Sequence, residues 1–327
     1  MAPGYDFDAL VVGDGPAGLA AALWLARYRR RVGVVGGGKP RNHAALAHGY
    51  LGSDPIAPGE LLARARTEVC RYPSASFLPG RATDARADGH GGFTVVTEEG
   101  VLSARRLVLA TGVVDEMPPV RGIEEHYGEA VFHCPTCDGF EARDREVVVL
   151  GWGAEVAGTA LELLGWARTV TVVTAGRAFE GDDRHRQALG RHGVALYEAE
   201  AAALVGPRGA LAGVRLDDGT ELSCDLVFFS VAHHPRTKLA EALGCALTGE
   251  GCLKVDDQCA TTVPGVFAAG DVTPGIQLVQ VAAAKGTIAG VSCAISLQGE
   301  PSFAGAPDPA PDVEAEIPSD EEPTPGT

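Results

Sequence analysis

Short apolar runs alternate with longer helical patterns along most of the chain. Residues 8–12 and 146–150 are mostly apolar, which is typical of strands buried on both faces of a parallel sheet. Each run leads into a turn with glycines and then into a helical pattern, at 19–28 and at about 154–164. Further strands are predicted at 31–35, 92–97, 106–110, 168–173, 211–216, 225–232 and 266–269, and a long helix at about 277–297. This alternation predicts an α/β fold with parallel sheets.

Glycine is nearly twice as common as usual, with 43 of 327 residues against a typical share of about 7%. No three-residue glycine period runs through the chain, so a collagen-like structure is excluded. The surplus is expected in turns and where the backbone approaches another group closely. The formal net charge of −16 argues against a nucleic acid or an anionic membrane as the main partner.

The composition also bears on the compartment and on the C-terminal segment. The N-terminus lacks the basic region and apolar stretch of a secretory signal, and no apolar run reaches the ~20 residues of a membrane span. Eight cysteines without a signal do not indicate a disulfide framework, so we predict a cytoplasmic protein. Residues 301–327 hold seven Pro and seven acidic residues but no Lys or Arg, which predicts a disordered acidic tail.

The turn after residues 8–12 matches the dinucleotide-binding pattern G-x-G-x-x-G in full. Gly13 allows the tight turn, Gly15 lets a pyrophosphate approach the backbone, and Gly18 lets the helix pack closely on the strand. Pro16 and Ala17 lie between them, at the helix N-terminus that favours negative charge. A strand, a turn, a helix and a second strand follow one another here, as the motif requires. The sequence therefore predicts a dinucleotide site in this loop.

A second, incomplete version of this pattern follows residues 146–150. Gly151 and Gly153 match its first half, with Trp152 between them, but Val156 stands where a third small residue is expected. Two units of this kind predict two nucleotide-binding domains, one for a tightly held cofactor and one for a second nucleotide.

Cys134 and Cys137 have a spacing that allows a disulfide, a cycling dithiol or half of a zinc site. A structural zinc site needs two more ligands at similar spacing, and the other six cysteines form no second pair of this kind. Redox chemistry is therefore favoured over zinc or inert thiols, and no metal is predicted. The six remaining cysteines are interpreted as buried small apolar residues.

Four landmarks along the chain resemble those of the low-molecular-weight thioredoxin reductases, which are two-domain flavoprotein disulfide reductases. They are residues 13–18, similar to the FAD pyrophosphate loop; Ala110-Thr111-Gly112, similar to the central Ala-Thr-Gly turn; Cys134-Pro135-Thr136-Cys137-Asp138, similar to the redox motif; and residues 261–271, ending in Gly270 and Asp271, similar to the second FAD motif. Gln277-Leu278-Val279 stands where that family has an Arg-Gln-Ala contact to the flavin ring.

The resemblance covers about residues 6–298 and implies two Rossmann-like, three-layer nucleotide-binding domains, the second inserted into the first. The FAD-binding domain would then be discontinuous, at 1–118 and 248–300. An NAD(P)-type domain carrying the cysteine pair would occupy 119–247, and the tail would occupy 301–327.

The resemblance also implies cofactors, partners and roles. FAD would lie against the first glycine loop and the three later segments, and NADPH or NADH against the loop with Gly151 and Gly153. Cys137 would face the flavin, Cys134 would exchange with the substrate, and Asp138 would act as acid and base for the thiols. The substrate would be a disulfide or dithiol, in a thioredoxin-like protein or a small molecule, and the enzyme would be a homodimer.

Several positions depart from the thioredoxin reductase pattern. Gly36 stands where that family has an acid for the adenosine ribose, and within 174–177 only Arg177 could serve a nucleotide phosphate. Residues 39–42 and 48–52 resemble instead a branch of dithiol oxidases, which pass electrons through FAD to oxygen without NADPH. That branch tends to have His at the position of Asp138. We therefore expect an FAD-dependent thiol–disulfide oxidoreductase, with a dithiol oxidase as the alternative hypothesis.

Overall fold

The structure is a computed structural model that describes residues 4–37, 44–230 and 233–298. Residues 39–42 and the predicted tail at 301–327 lie outside the described residues. The described strands are β1 (Phe7–Val12), β2 (Val32–Val35), β3 (Ala75–Leu78), β4 (Ala82–Ala87), β5 (Phe93–Thr97), β6 (Gly100–Leu109), β7 (Val113–Asp115), β8 (Val131–Phe132), β9 (Glu146–Leu150), β10 (Thr169–Val173), β11 (Ala195–Tyr197), β12 (Ala201–Val205), β13 (Gly213–Leu216), β14 (Glu221–Ser223), β15 (Leu226–Phe229), β16 (His233–Pro235) and β17 (Val266–Ala268). The described helices are α1 (Pro16–Arg27), α2 (Pro58–Cys70), α3 (Ile123–His126), α4 (Pro135–Asp138), α5 (Glu155–Leu163), α6 (Asp183–Arg191), α7 (Lys238–Ala242) and α8 (Val279–Ser296), with a 3₁₀ turn at Gly139–Ala142.

β1 lies at the centre of the first sheet because its side chains are apolar on both faces. Leu10 is fully buried and lies opposite Gly33 of β2 and Leu107 of β6, both in parallel register. The strand order is β3-β2-β1-β6-β5-β4, and β17 pairs in parallel with β6. Only β4 and β5, within the described residues, join this sheet in antiparallel register. The prediction of a largely parallel α/β sheet is confirmed.

α1 and α8 lie side by side on one face of this sheet and approach each other closely. A Cβ on Gly286 would overlap the backbone of Ala17, and a Cβ on Gly290 would overlap the backbone of Ala21. α8 has 18 residues and a mean hydropathy of 1.3, so by length and composition alone it could cross a membrane. The face of α8 that carries Gly286 and Gly290 packs on α1. α8 therefore belongs to the helix layer that covers this face of the first sheet.

The other face of the first sheet packs against α7 and the segment that follows it. Leu239, Ala240 and Cys245 belong to the same buried cluster as Leu10 and Leu107. The sequence predicts these residues within the segment 119–247. They pack instead with the first sheet, so the chain has returned to that sheet well before residue 247.

β9 lies at the centre of a second sheet, in which β11-β10-β9-β15-β8 are all parallel. Val147 and Val149 of β9 pack with residues of α5 and α6 on one face. Val148 and Leu150 pack on the other face, against residues of the small antiparallel sheet β12-β13-β14. This unit therefore has three layers, as the sequence analysis predicts.

Two short antiparallel strands, β7 and β16, connect the two sheets. Val113 lies opposite Pro235 and Asp115 lies opposite His233, so the described residues 116–230 form an insertion between outgoing and returning strands. The Thr111 hydroxyl donates to the Arg236 carbonyl at 2.8 Å and holds the returning strand beside the first sheet. The predicted insertion of one nucleotide-type unit into another is confirmed.

Candidate active site

The loop between β1 and α1 brings bare backbone to the carboxyl edge of the first sheet. Gly13 has a φ of +116°, and a Cβ on it would overlap the carbonyl oxygen of Ala110. A Cβ on Gly18 would overlap the carbonyl oxygen of Gly13. At Gly15 the corresponding position has no described heavy atom within 4 Å. Gly13 and Gly18 are therefore required by the packing of the loop itself, whereas Gly15 borders open space where a ligand can approach.

A cavity of about 1080 Å³ lies at this edge of the sheet. Small-molecule sites typically have volumes of about 300–1,000 Å³, so this cavity suits a ligand as large as a dinucleotide. Four segments that are far apart in the sequence meet around it. The predicted cofactor residues that line it are Gly13, Gly15, Pro16, Ala17, Ala110, Thr111, Gly112, Gly270, Asp271, Gln277, Leu278 and Val279.

The N-termini of two helices border this cavity. α1 begins at Pro16 and α8 begins at Val279, and both residues are part of the lining. Gly270 has a φ of +79° and allows close packing, since a Cβ on it would lie 2.8 Å from the Cβ of Ala17. The first N–H groups of a helix have no partner within the helix, so both ends favour an anionic ligand such as a pyrophosphate.

The sequence has no acidic residue at the end of β2, where Gly36 stands. The carboxylate of Asp14 occupies that space instead. Gly36 follows β2, and a Cβ on it would overlap the carboxylate of Asp14, which follows the neighbouring strand β1. Asp14 Oδ2 also lies 3.9 Å from Nη1 of Arg66. Asp14 and Gly36 both line the cavity. With the glycine loop, the two helix N-termini and this acid, the residues present fit FAD.

Cys134 and Cys137 form a disulfide with an S–S distance of 2.05 Å. Cys134 is the N-cap residue of α4, and the Cys137 N–H donates to its sulfur at 3.1 Å. Pro135 occupies the first helical position, where its missing N–H leaves no bond unmade. Within the described residues, the cavity lining includes Cys137 but not Cys134. The structure therefore places one sulfur of the pair beside the cavity and the other at the start of the helix.

Asp138 follows the pair and lies in the cavity wall with only 5% of its surface exposed. Burial raises the pKa of its carboxyl group to about 7, and the negative charge of Glu141 adds to this, while His48 opposes it. A carboxyl group that titrates near neutral pH can both give and take a proton under ordinary conditions.

The second glycine loop, between β9 and α5, keeps the tight turn but carries its own charged groups. A Cβ on Gly151 would lie 2.5 Å from the carbonyl oxygen of Ser230. A Cβ on Gly153 would overlap the carboxylate of Glu155. The Arg177 guanidinium stacks 4.0 Å from the centre of the Trp152 ring. The Glu155 carboxylate at this position would repel a pyrophosphate brought to Gly153, because both groups are anions.

The other cysteines carry no sign of redox or metal chemistry. Cys224, Cys245, Cys252, Cys259 and Cys293 are buried, as predicted, whereas Cys70 is exposed. Burial raises the pKa of the Cys224 and Cys293 thiols to about 12, so neither forms a thiolate readily. The described residues contain no group of three or more His, Cys, Asp or Glu side chains arranged to hold a metal.

Three polar residues at this site were missed as site residues by the sequence analysis. Asp14 was counted only as a variable position of the glycine loop, although an acid there is a visible signal. His48 lines the cavity and lies 3.4 Å from Oε1 of Glu141. Asp14 and His48 belong to segments quoted above and Glu141 lies just after the cysteine motif, but the proximity of a loop near residue 48 to this motif could not be derived from the sequence.

Comparisons with known proteins identify the family of this chain. Residues 7–286 match the family model described as pyridine nucleotide-disulphide oxidoreductase. The chain is 32% identical over 308 residues to thioredoxin reductase sirT of Leptosphaeria maculans, covering 87% of this chain and 92% of the relative. It is 31% identical over 306 residues to thioredoxin reductase of Mycolicibacterium smegmatis, covering 90% and 95%. The crystal structure of HlmI superposes with a TM-score of 0.84 at 37% identity, covering 89% of this chain and 92% of that one.

The family match fixes the enzyme class and its cofactors, which are FAD and NAD(P)H. The chain belongs to the pyridine nucleotide-disulphide oxidoreductase family, as an FAD-dependent disulfide oxidoreductase similar to the thioredoxin reductases.

Proposed function

We propose that the Cys134–Cys137 pair is the redox centre that carries electrons between the flavin site and a substrate disulfide. The observation that carries this proposal is the position of Cys137 and Asp138 in the wall of the cavity formed by the first glycine loop. FAD supplies two-electron redox chemistry in this cavity when it is bound. Because Cys137 borders the cavity, it is the sulfur on the flavin side, and Cys134 is the sulfur that exchanges with the substrate.

Exchange with the substrate takes two thiolate attacks. The Cys134 thiolate attacks one sulfur of the substrate disulfide, the substrate S–S bond breaks, and the leaving thiolate takes a proton from Asp138. The Cys137 thiolate then attacks the Cys134 sulfur, which re-forms the S–S bond of the pair. The second substrate thiolate leaves and takes a proton from solvent. The substrate is thereby reduced by two electrons and the cysteine pair is oxidised.

Asp138 is the proton donor in this scheme because of where it lies and when it titrates. It is buried at the cavity wall beside Cys137, and its pKa is raised to about 7. The protonated form that donates to a leaving thiolate is therefore abundant at neutral pH and below. Reduction of a substrate is expected to slow as the pH rises above 7.

The substrate class and the assembly belong to the same proposal. The substrate is a disulfide in a thioredoxin-like protein or in a small molecule, as the names of the relatives suggest.

Five buried unpaired cysteines suit a reducing compartment such as the cytoplasm. A homodimer is supported by half-exposed apolar residues on α8, including Ile288 and Ile295. We place the domain boundaries near residues 115 and 235, where β7 and β16 cross between the sheets.

We do not propose the dithiol oxidase, since relatives named as thioredoxin reductases match over most of the chain. One anaerobic experiment separates the two functions. The FAD-loaded protein is mixed in turn with NADPH, NADH and a dithiol, and the flavin absorbance is followed. Rapid bleaching by NADPH or NADH is the expected result. Bleaching by the dithiol alone would contradict the reductase and support the oxidase.

A further inference from the structure

Three ionisable side chains lead from the protein surface to the cavity wall that contains Cys137 and Asp138. Asp54 Oδ1 lies 3.4 Å from Nδ1 of His48, and His48 Nε2 lies 3.4 Å from Oε1 of Glu141. The Asp54 side chain is 51% exposed, whereas the side chains of His48 and Glu141 are 28% and 31% exposed. Glu141 lies in the 3₁₀ turn that Asp138 caps, three residues after it in the sequence, and His48 lines the same cavity as Asp138.

Backbone hydrogen bonds fix the position of His48 in this row. The Ala47 N–H donates to the Ile56 carbonyl at 2.7 Å, and the Ile56 N–H donates back at 3.1 Å. The Gly49 N–H donates to Oδ1 of Asp54 at 3.0 Å. The His48 imidazole is therefore carried by a loop that hydrogen bonds hold in place in the domain of the first sheet. Its partner Glu141 belongs to the inserted unit that carries the cysteine pair.

Glu141 has one carboxylate oxygen that the ion pair does not use. Its Oε2 is buried and has no hydrogen-bond partner among the described residues. A buried oxygen without a partner costs free energy, so this glutamate is not explained by packing or by a surface ion pair alone. An oxygen of this kind is available to accept a proton and to pass it on.

We propose that His48 and Glu141 are positioning residues that control the charge beside Asp138 and return protons to it from solvent. This inference rests on the function proposed above for Asp138. The proton that Asp138 gives to a leaving thiolate is replaced from bulk water through His48 and Glu141, so the exchange remains balanced. A carboxylate flanks each ring nitrogen of His48, so its cationic form is paired on both sides.

The other charged or titratable groups beside α4 have partners of their own, although His133 also lines the cavity. Glu162 on α5 accepts a hydrogen bond from the Thr136 hydroxyl at 3.2 Å. His133, at the end of β8, shares a hydrogen bond of 3.0 Å with the Tyr127 hydroxyl. Arg143 lies over the Phe140 ring at 5.1 Å. The directions in which Glu141 raises and His48 lowers the pKa of Asp138 agree with the proposal.

An infrared titration of the oxidised, FAD-loaded protein tests this proposal without any substrate. The band of the protonated Asp138 carboxyl is identified by its loss in Asp138→Asn and is followed against pH. Glu141→Gln is expected to move its midpoint to lower pH, and His48→Gln to higher pH, each by about 0.5 unit or more. Asp54→Asn, which removes the outer partner of His48, is expected to act in the same direction as His48→Gln.

The matched control is Glu116→Gln, since Glu116 Oε2 also lies 3.4 Å from a histidine nitrogen, that of His234. It is expected to leave the midpoint unchanged. A midpoint that is unmoved in both site variants, or moved in one common direction, would overturn the proposal. The function proposed for Asp138 fails separately, if Asp138→Asn reduces a disulfide substrate as fast as the unaltered protein while the infrared shifts persist.

Discussion

The carboxylate of Asp14, at the end of β1, occupies the space in which a side chain on Gly36, after β2, would begin. The relationship is a consequence of parallel pairing, since β1 and β2 end side by side with Val12 opposite Val35. An acid supplied from either strand end therefore reaches the same part of the cavity. Asp14 can take the role of the ribose-binding acid that position 36 lacks.

Asp14→Asn is expected to weaken FAD binding about tenfold. The reason is that a hydrogen bond to a charged acceptor contributes about 1.5–3 kcal/mol, part of which the amide retains. The dissociation constant is measured by titrating FAD into apoprotein and following flavin fluorescence. Asp257→Asn, which removes an exposed acid elsewhere, is the control. Equal affinity in the Asp14 and Asp257 variants would show that Asp14 does not contact the cofactor.

Gly286→Ala is expected to destabilise the protein by about 1–3 kcal/mol, because the new methyl group overlaps the backbone of Ala17 and must push α1 and α8 apart. Gly158→Ala on α5 is the matched control. No described atom lies within 4 Å of its Cβ position, and helix propensity predicts a gain of up to about 1 kcal/mol. Urea unfolding measures both. If both substitutions raised the free energy of unfolding, or both lowered it, the close contact between α1 and α8 would be contradicted.

Glu155→Gln is expected to lower the KM for NADPH or NADH several-fold, about 3- to 10-fold for the loss of one nearby like charge. The physical reason is that the Glu155 carboxylate lies against Gly153, in the loop where the resemblance implies that the nucleotide binds. Steady-state reduction of a disulfide at varied nucleotide concentration gives the KM. Glu124→Gln on α3 removes an exposed charge as a control. A KM that rises in Glu155→Gln would mean that this carboxylate assists nucleotide binding.

Asp138 is expected to make the stability of the protein fall as the pH rises. Its pKa is raised to about 7 in the folded state, so the folded protein retains a proton that the unfolded chain has already released. The stabilising contribution is complete below about pH 4 and is lost through pH 7. About three units of difference correspond to an upper limit of about 4 kcal/mol.

Asp138→Asn removes this dependence. The free energy of unfolding of the unaltered protein, relative to that of the variant, is expected to fall by about 2–4 kcal/mol between pH 4 and pH 9. Urea unfolding across that range measures it, and taking the difference between the two proteins cancels the contributions of other groups. A constant difference would mean that Asp138 is not buried as described.

The strands and glycine loops could be predicted because apolar runs and G-x-G spacing are local signals. The spacing of the glycines thus indicated the turns that follow β1 and β9, and the roles of these glycines in cofactor binding stay predictions. The Asp14–Gly36 and His48–Glu141 relationships could not be predicted, because each joins segments brought together by strand pairing or loop packing. The return of the chain at Leu239 was also missed, since a short apolar helix fits either sheet equally well.

In the function proposed above, the Cys134–Cys137 pair carries electrons between the flavin and the substrate. The most direct test is the rate at which a dithiol bleaches the flavin of the FAD-loaded protein without oxygen, in Cys137→Ser and in the unaltered protein. Cys70→Ser, which removes the exposed cysteine outside the pair, is the control. We expect loss of bleaching in Cys137→Ser and an unchanged rate in Cys70→Ser. A full rate in Cys137→Ser would contradict this function.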